Sequence, residues 1–503
     1  MNRQIRQLGV ALLLLFSLLF LRLNWVQVFA AEELTADPLN TRRVVRDFGQ
    51  ERGNIVTADG VVVAESVDVE GRFDRERRYP QGHLYSHVTG YFSFEFGATG
   101  VERTYNDELS GHSATQRFES FFDFFGDGSV SADLTLTIDS GLQAAAANAL
   151  GQRRGSVVAL DPATGEVLAF YSWPTFDPAT ISATDIDAAR ASKQALDQDP
   201  GTPLLTSAHR QVFPPGSTFK VITAASALET GVATPVDPVF DPVVSYDLPL
   251  TEFSLQNFGG LACGGDLAAV LAQSCNTSFA ELGAEFLGPE PMVRTAERFG
   301  FNDTPPFDIP LTVASRFPDD YGIQLGLSDR TPPAPIVEGS SLLAQASIGQ
   351  FDVRATPLHM ALVAAGVANG GDIMEPHVVD RVLDSADGEL LTDRSPQLWR
   401  TALSTDIADT TADLMVGVVE SGTGSGLQRA GLRVGAKTGT AEIDTSDGSQ
   451  DTHAWTIAFA GPEGAESELA LAVIVEAVPG QGQQTGGGVA GPVAAAMIDA
   501  HFG

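Results

Sequence analysis

A long apolar segment near the N-terminus limits the possible architecture of this chain more than any other feature. Leu8–Leu21 carries no charge, and the apolar character resumes after Arg22 as far as Ala31. A stretch of this length can cross a bilayer as one helix of about 20 residues. Because Arg3 and Arg6 precede the segment and acidic residues follow it, we expect the N-terminus in the cytoplasm and the rest of the chain outside.

A cleaved signal peptide is the alternative for this segment, since Val28-Phe29-Ala30 resembles a small-residue cleavage site. We prefer an uncleaved anchor because the apolar stretch is longer than the usual core of a signal peptide. Residues 1–31 are therefore assigned to a cytoplasmic tip and a transmembrane signal anchor. Both interpretations place the remaining residues outside the cytoplasm, and the uncleaved anchor in addition holds them at the cell membrane.

The charge and the lysine content narrow the possible functions. Acidic residues number 64 and basic residues 30, so the net charge is −34. This balance argues against nucleic acid as a partner, since nucleic-acid binding needs a basic surface. The only lysines are Lys193, Lys220 and Lys437, which suggests a chemical reason for retaining them. Two cysteines, Cys263 and Cys275, are too few for a disulfide scaffold or a four-cysteine zinc site.

Patterning beyond the anchor indicates two regions. Residues 32–128 mix short strand-like runs with turns and include a phenylalanine cluster, Phe118–Phe125, which we interpret as a small core or an inter-domain contact. Residues 129–503 have strands near both ends and helices between, which predicts an α+β domain whose sheet joins its termini. Its predicted strands are 134–138, 155–160, 167–171, 433–443, 453–460 and 469–476. Its predicted helices are 142–150, 217–229, 267–273, 276–286, 356–369 and a last one to about 501.

The first reactive motif is a serine and a lysine three residues apart. Pro214 and Pro215 cannot continue a preceding helix, so a helix is predicted to start near Ser217. The spacing then places Ser217 and Lys220 on one face, where a partly desolvated lysine can act as the base for a serine nucleophile. The alternative is an ordinary surface pair, because serine and lysine often fall at this spacing in helices.

The second motif is Ser274-Cys275-Asn276. Ser274 can pass on a proton, and Asn276 can hydrogen-bond a substrate amide or Lys220. The alternative is a helix N-cap, a position that serine and asparagine favour, and both roles can coexist.

The third motif is Lys437-Thr438-Gly439-Thr440 on a predicted strand. Lys437 offers a fixed cation, Thr438 and Thr440 can bind a carboxylate, and Gly439 lets another backbone approach closely. The alternative is an exposed edge strand whose lysine keeps the strand from pairing with other chains.

Together the motifs are far more specific than any one of them, because they follow in a fixed order on suitable secondary structure. The chain resembles the class B penicillin-binding proteins, and in particular the actinobacterial penicillin-binding protein A group. Further segments share this resemblance: Arg52–Ile55, Gly100–Glu102, Leu136–Asp139, the hairpin 155–172, Ser347–Gln350 and His453–Trp455.

The resemblance implies a penicillin-binding, β-lactamase-like α+β fold, with an antiparallel sheet flanked by helices, behind a mixed α/β pedestal at 32–128. It implies a D,D-transpeptidase that cross-links peptidoglycan stem peptides and that β-lactams acylate. Ser217 would attack, Lys220 would take its proton, Ser274 would pass a proton to the leaving amine and Asn276 would orient the acyl donor. Lys437, Thr438 and Thr440 would anchor the terminal carboxylate, and the N–H groups of Ser217 and Thr440 would hold the oxyanion. No metal or organic cofactor is implied.

The resemblance also implies contacts between the pedestal and a polytopic glycosyltransferase. Two other functions remain open: a D,D-carboxypeptidase or β-lactamase using the same serine, and a catalytically silent β-lactam-binding scaffold. The lifetime of the acyl-enzyme and the effect of Ser217→Ala distinguish them. Cys263 and Cys275 are equally compatible with a disulfide and with two separately buried thiols.

Overall fold

The structure is a computed structural model that describes residues 2–28, 48, 51–70, 73–113, 131–443, 451–478, 480 and 482–503. The predicted phenylalanine cluster Phe118–Phe125 lies outside the described residues, and so do Phe29 and Ala30 of the alternative cleavage site.

The strands and α-helices of the described chain are numbered in chain order. The strands are β1 Ile55–Val56, β2 Val62–Asp68, β3 Arg75–Arg78, β4 Phe92–Ser93, β5 Gly97–Ala98, β6 Ala132–Leu136, β7 Gly155–Leu160, β8 Val167–Trp173, β9 Phe240–Val243, β10 Ser245–Asp247, β11 Ser254–Gln256, β12 Cys263–Gly265, β13 Gln324–Leu327, β14 Pro335–Val337, β15 Asp372–Met374, β16 Val379–Asp384, β17 Leu390–Asp393, β18 Leu398–Thr401, β19 Leu432–Glu442, β20 Thr452–Pro462 and β21 Leu469–Val475. The α-helices are α1 Asn2–Val28, α2 Ser86–Thr89, α3 Gly100–Thr104, α4 Asn106–Leu109, α5 Ser140–Leu150, α6 Pro178–Ser182, α7 Ile186–Gln198, α8 Ser207–Arg210, α9 Lys220–Thr230, α10 Leu267–Gln273, α11 Asn276–Glu281, α12 Pro289–Arg298, α13 Ser340–Ala346, α14 Pro357–Ala368, α15 Thr405–Ser421 and α16 Gly491–Phe502.

The N-terminal apolar segment forms one uninterrupted helix, α1. The helix continues through Arg22, so the apolar residues before and after Arg22 belong to one continuous helix. Its span Arg6–Trp25 is long and apolar enough to cross a bilayer, and its side chains are exposed in the isolated chain. An exposed apolar helix of this length suggests anchoring in a membrane.

The sheet of the α+β region has the order β19-β20-β21-β7-β8, with every neighbouring pair antiparallel. Strands from both ends of the region therefore meet in one sheet, which confirms the predicted architecture. Helices α5 and α16 pack on one face and α14 on the other. Because both faces are covered, the inner strands are apolar at nearly every position, as in Leu469–Val475.

A second sheet crosses the boundary predicted at residue 128. Its order is β17-β16-β6-β1-β2-β3, and β6 pairs with β1 on one side and with β16 on the other. Strands from residues 55–78 and from residues 379–393 thus share one hydrogen-bonded sheet. The N-terminal region is therefore fixed against the α+β region by backbone bonds.

A buried ion cluster holds the N-terminal region together. The carboxylate of Glu102 accepts hydrogen bonds from Arg52 Nε at 2.7 Å and from Arg77 Nε at 2.6 Å. Arg52 also donates to Asn106 Oδ1 at 2.9 Å, and Tyr79 donates to Glu102 Oε1 at 3.2 Å. Burial acts to raise the pKa of Glu102, but the two guanidinium groups outweigh it and hold that pKa below its usual range.

Candidate active site

Ser217 lies on a short segment that is held from two sides. Gly216 N donates to Gly349 O at 3.0 Å, and Trp455 Nε1 donates to Pro214 O at 3.0 Å. The additional sequence segments Ser347–Gln350 and His453–Trp455 therefore act as the physical support of the serine. Ser217 itself is partly exposed, and its hydroxyl makes no hydrogen bond within the described chain.

The local helix differs from the prediction of one α-helix from Ser217. Gly216–Phe219 is a 3₁₀ turn, and α9 begins only at Lys220. In a 3₁₀ turn the side chains at positions i and i+3 are eclipsed, so Ser217 and Lys220 lie one above the other. Glycine is required before the serine because Gly216 has a φ of +54° and a Cβ there would lie 2.8 Å from Thr440 O.

Lys220 is fully buried at the start of α9. Its Nζ donates to Ser274 O at 2.7 Å, to Asn276 Oδ1 at 2.8 Å and to Ser274 Oγ at 3.3 Å. Burial lowers the pKa of Lys220 well below its usual value, and the nearby charge of Lys437 lowers it further. A neutral amine would place its two N–H groups on the two carbonyl oxygens and keep its lone pair for a proton.

Lys437 is buried as well, although its strand β19 lies at the edge of the sheet. Its Nζ donates to Ser274 Oγ at 2.8 Å and to Thr438 O at 2.9 Å. Burial lowers the pKa of Lys437 to about 7. The alternative of an exposed lysine on an edge strand is therefore wrong, because the side chain turns inward to the second motif.

Ser274 is the meeting point of the two lysines. It adopts a left-handed backbone conformation, with φ +64°, which is strained for a residue with a Cβ. The next residue, Cys275, forms a disulfide with Cys263, with the Cα atoms 5.5 Å apart. The question that the sequence left open is thus answered in favour of a disulfide, and this bond ties the strained residue's neighbour to β12.

Asn257 supports the second motif, although no sequence pattern pointed to it. Its Oδ1 accepts hydrogen bonds from the N–H groups of Asn276 at 2.8 Å and Thr277 at 3.0 Å. The N-cap position itself is Cys275, whose side chain is in the disulfide and accepts no capping hydrogen bond among the described residues. The alternative of a cap by Ser274 or Asn276 is therefore wrong, since Asn257 satisfies the helix terminus and leaves the Asn276 side chain to Lys220.

The third motif borders the serine segment. Gly439 passes so close to Pro215 that a Cβ at this glycine would lie 3.0 Å from the Pro215 oxygen, which confirms the predicted close backbone approach. Thr438 is buried and Thr440 is partly exposed beside Gly216. The structure thus brings the three motifs together around Ser217 and Ser274.

This arrangement suits acyl transfer by a serine. It combines a partly exposed hydroxyl in a 3₁₀ turn, a buried amine of lowered pKa three residues later, a second hydroxyl between two lysines and an adjacent strand with polar side chains. Within this site the hydrogen bonds join the two lysines to the Ser274 hydroxyl, the Asn276 amide and backbone carbonyl groups. Such a constellation activates a nucleophile without a histidine.

Comparison with known proteins agrees with this geometry. The penicillin-binding protein transpeptidase domain family matches residues 155–499, and the penicillin-binding protein A dimerisation domain family matches residues 52–132. The chain belongs to the penicillin-binding protein transpeptidase family. This penicillin-binding protein is 38% identical to the peptidoglycan D,D-transpeptidase PbpA of Mycolicibacterium smegmatis over 99% of both chains.

Two further comparisons concern Mycobacterium tuberculosis. Its peptidoglycan D,D-transpeptidase PbpA is 35% identical, again over 99% of both chains. The structure of penicillin-binding protein A from that organism, as the ceftriaxone acyl-enzyme complex, superimposes with a TM-score of 0.80 at 31% identity, and covers 91% of this chain and 100% of that one. The predicted class B penicillin-binding protein fold is thereby confirmed.

Proposed function

We propose that Ser217 is the nucleophile with which this peptidoglycan D,D-transpeptidase forms an acyl-enzyme. The observation that carries the proposal is the position of Lys220. It lies one helical turn after the serine and is buried, its pKa is well below the usual value, and its amine hydrogen-bonds to Ser274 and Asn276 of the second motif. The full-length similarity to PbpA proteins supports the substrate, the stem peptides of peptidoglycan.

In acylation, the Lys220 amine takes the hydroxyl proton while Ser217 Oγ bonds to the carbonyl carbon of the penultimate D-alanine. The N–H groups of Ser217 and Thr440 hold the oxyanion, and Asn276 orients the acyl donor. The C–N bond then breaks, and Ser274 passes a proton to the leaving D-alanine amine. Lys437, Thr438 and Thr440 bind the terminal carboxylate, beside Gly439.

In the second half-reaction, the amine of another stem peptide attacks the acyl carbon. It loses one proton, Ser217 Oγ leaves and regains one, and the cross-link is formed. β-Lactams enter the same path: Ser217 Oγ bonds to the lactam carbonyl carbon, the ring C–N bond breaks and the ring nitrogen takes up the proton. With penicillin G the nitrogen remains attached to the acyl group, so the whole drug stays on the enzyme. Covalent β-lactam complexes of the homologous M. tuberculosis protein support this course.

The decisive experiment is mass spectrometry of the intact chain after exposure to penicillin G. We expect a mass gain equal to the whole drug, mapped by peptide analysis to the peptide that contains Ser217. Ser217→Ala should show no gain, whereas Ser421→Ala, a serine at the exposed end of α15, should be labelled like the wild type. Labelling of Ser217→Ala would disprove the assignment.

The same adduct distinguishes the competing functions. A transpeptidase should keep the acyl-enzyme for many minutes and join two stem peptides when a second is supplied. Loss of the adduct within seconds would indicate a β-lactamase, and release of D-alanine without cross-linking would indicate a carboxypeptidase. Cross-linking that persists in Ser217→Ala would indicate a scaffold for another enzyme.

The two lysines predict the pH dependence of acylation. The base Lys220 must be neutral and the carboxylate anchor Lys437 charged, so the rate rises as Lys220 loses its proton and falls as Lys437 loses its own near pH 7. We expect the second-order rate constant for penicillin G to decrease above about pH 7. The methyl ester of penicillin G, which lacks the carboxylate, should show no such decrease. Equal profiles for acid and ester would contradict the role of Lys437.

For the topology, we propose a cytoplasmic tip and signal anchor at 1–31, a pedestal at 32–128 and a catalytic domain at 129–503 outside the membrane. The bases before the apolar helix and the acids after it support this orientation. Protease added to intact spheroplasts should remove the catalytic domain; protection of that domain would contradict the topology.

We further propose that the pedestal contacts a polytopic glycosyltransferase in the membrane. The pedestal follows the anchor in the sequence and is matched by a dimerisation domain family, and both facts support a protein-binding role. Cross-linking from a photoreactive residue at exposed Asp68 or Glu70 checks this, and adducts with soluble proteins alone would contradict it.

A further inference from the structure

One residue outside the three motifs contacts the segments of two of them. The N–H of Thr423, in the turn after α15, donates to Ala272 O at 3.1 Å, two residues before Ser274. Its hydroxyl oxygen lies 2.6 Å from Thr438 Oγ1, a short hydrogen bond. Thr423 therefore bridges the end of α10 and the strand β19.

Glycines on both sides keep this bridge in place. A Cβ on Gly422 would lie 2.3 Å from Ala272 O, and a Cβ on Gly487 would lie 2.9 Å from Thr423 O. The backbone around Thr423 is thus packed against the end of α10 and against the segment that contains Gly487, while the Thr423 side chain is accessible to solvent. A change of this side chain should leave the fold intact, because the backbone contacts do not depend on it.

We infer that Thr423 is a positioning residue that orients the Thr438 hydroxyl toward the substrate carboxylate. This inference rests on the proposed role of Thr438 in binding that carboxylate. In the free enzyme Thr438 donates to Thr423. When a carboxylate arrives, the Thr438 proton turns to it and Thr423 donates its own proton to Thr438, so each oxygen still has a donor and no proton changes atoms.

The test compares acylation rates of Thr423→Val and Thr423→Ser. Valine keeps the shape but has no hydroxyl, so its rate constant for penicillin G should fall about fivefold to tenfold, the effect of one hydrogen bond. Serine keeps the hydroxyl and should stay within about twofold of wild type. Ser421→Ala, two residues earlier, serves as the control and should acylate at the wild-type rate, because the Ser421 hydroxyl donates to Gly417 O of its own helix.

The penicillin G methyl ester separates positioning from a general structural effect. Because the ester has no carboxylate anion, Thr423→Val should acylate with it at the wild-type rate. The saturation kinetics should place the loss with penicillin G in the binding constant before acylation, with little change in the acylation rate at saturation. An equal loss with acid and ester would overturn the inference.

Other outcomes are equally decisive. Wild-type rates of Thr423→Val with penicillin G, or a loss in Thr423→Ser as large as in Thr423→Val, would also overturn it. A failure of the proposed function looks different, since penicillin would then label Ser217→Ala. Running Ser217→Ala in the same series therefore tells the two failures apart.

Discussion

Replacing Lys220 by methionine is expected to lower the rate constant of acylation by penicillin G about 1,000-fold, the scale of losing a general base. Methionine fills a similar volume but cannot accept the serine proton. The amine is also the partner of Ser274 O and Asn276 Oδ1, at 2.7 and 2.8 Å, so these acceptors lose a donor. The loss should appear in the acylation rate at saturation, measured by rapid quench and intact mass.

Lys193→Met is the matched control for this change. Lys193 lies on α7 and pairs with Asp197, one helical turn further along, at 2.7 Å. Surface pairs of this kind contribute little to stability, and this one takes no part in the three motifs. The control should acylate within about twofold of wild type. Near-normal acylation by Lys220→Met would remove the base from the mechanism.

Replacing Glu102 by glutamine is expected to reduce the free energy of unfolding by about 3–5 kcal/mol. The change leaves Arg52 and Arg77 as two buried guanidinium groups whose shared carboxylate is gone. Each has given up its hydration, and their mutual repulsion is no longer offset. Urea unfolding of the full chain in detergent, followed by tryptophan fluorescence, should show a clearly lower midpoint.

Glu95→Gln provides the comparison for this second change. Glu95 also binds an arginine, Arg190, at 2.9 Å, but both side chains are partly exposed to water. Its loss should shift the free energy of unfolding by less than about 1 kcal/mol. Equal midpoints for the two variants would mean that burial adds nothing to the effect of the Glu102 cluster.

Local pattern was enough to predict much of this molecule. The hairpin Gly155–Trp173 and the three C-terminal strands follow from apolar runs and turn residues, since neighbouring segments pair. Ser217 and Lys220 are only three residues apart, so their proximity is a property of the helical turn. The antiparallel sheet that joins both ends of the region was also predictable, because the strands flank the helices in sequence.

The features that the sequence did not predict depend on contacts between segments that are distant in the chain. Asn257 caps a helix that begins 19 residues later, and nothing in its own neighbourhood indicates this. Whether Cys263 and Cys275 would pair depended on how α10, the helix between them, places β12 relative to the start of α11. The burial of Lys437 could not be predicted from the sequence either, because a strand at a sheet edge usually exposes its lysines. Lys437 is instead buried and donates to Ser274 Oγ.

The sheet that joins residues 55–78 to residues 379–393 also sets an order for folding during export. On the proposed topology the N-terminus stays in the cytoplasm and the residues that follow the anchor are exported in chain order, so β6 emerges almost 250 residues before its partner β16. Until then one side of β6 is an open edge that can pair with other chains. This sheet therefore cannot be completed until three quarters of the protein has been translocated, and a chain halted midway would be the form most exposed to aggregation and proteolysis.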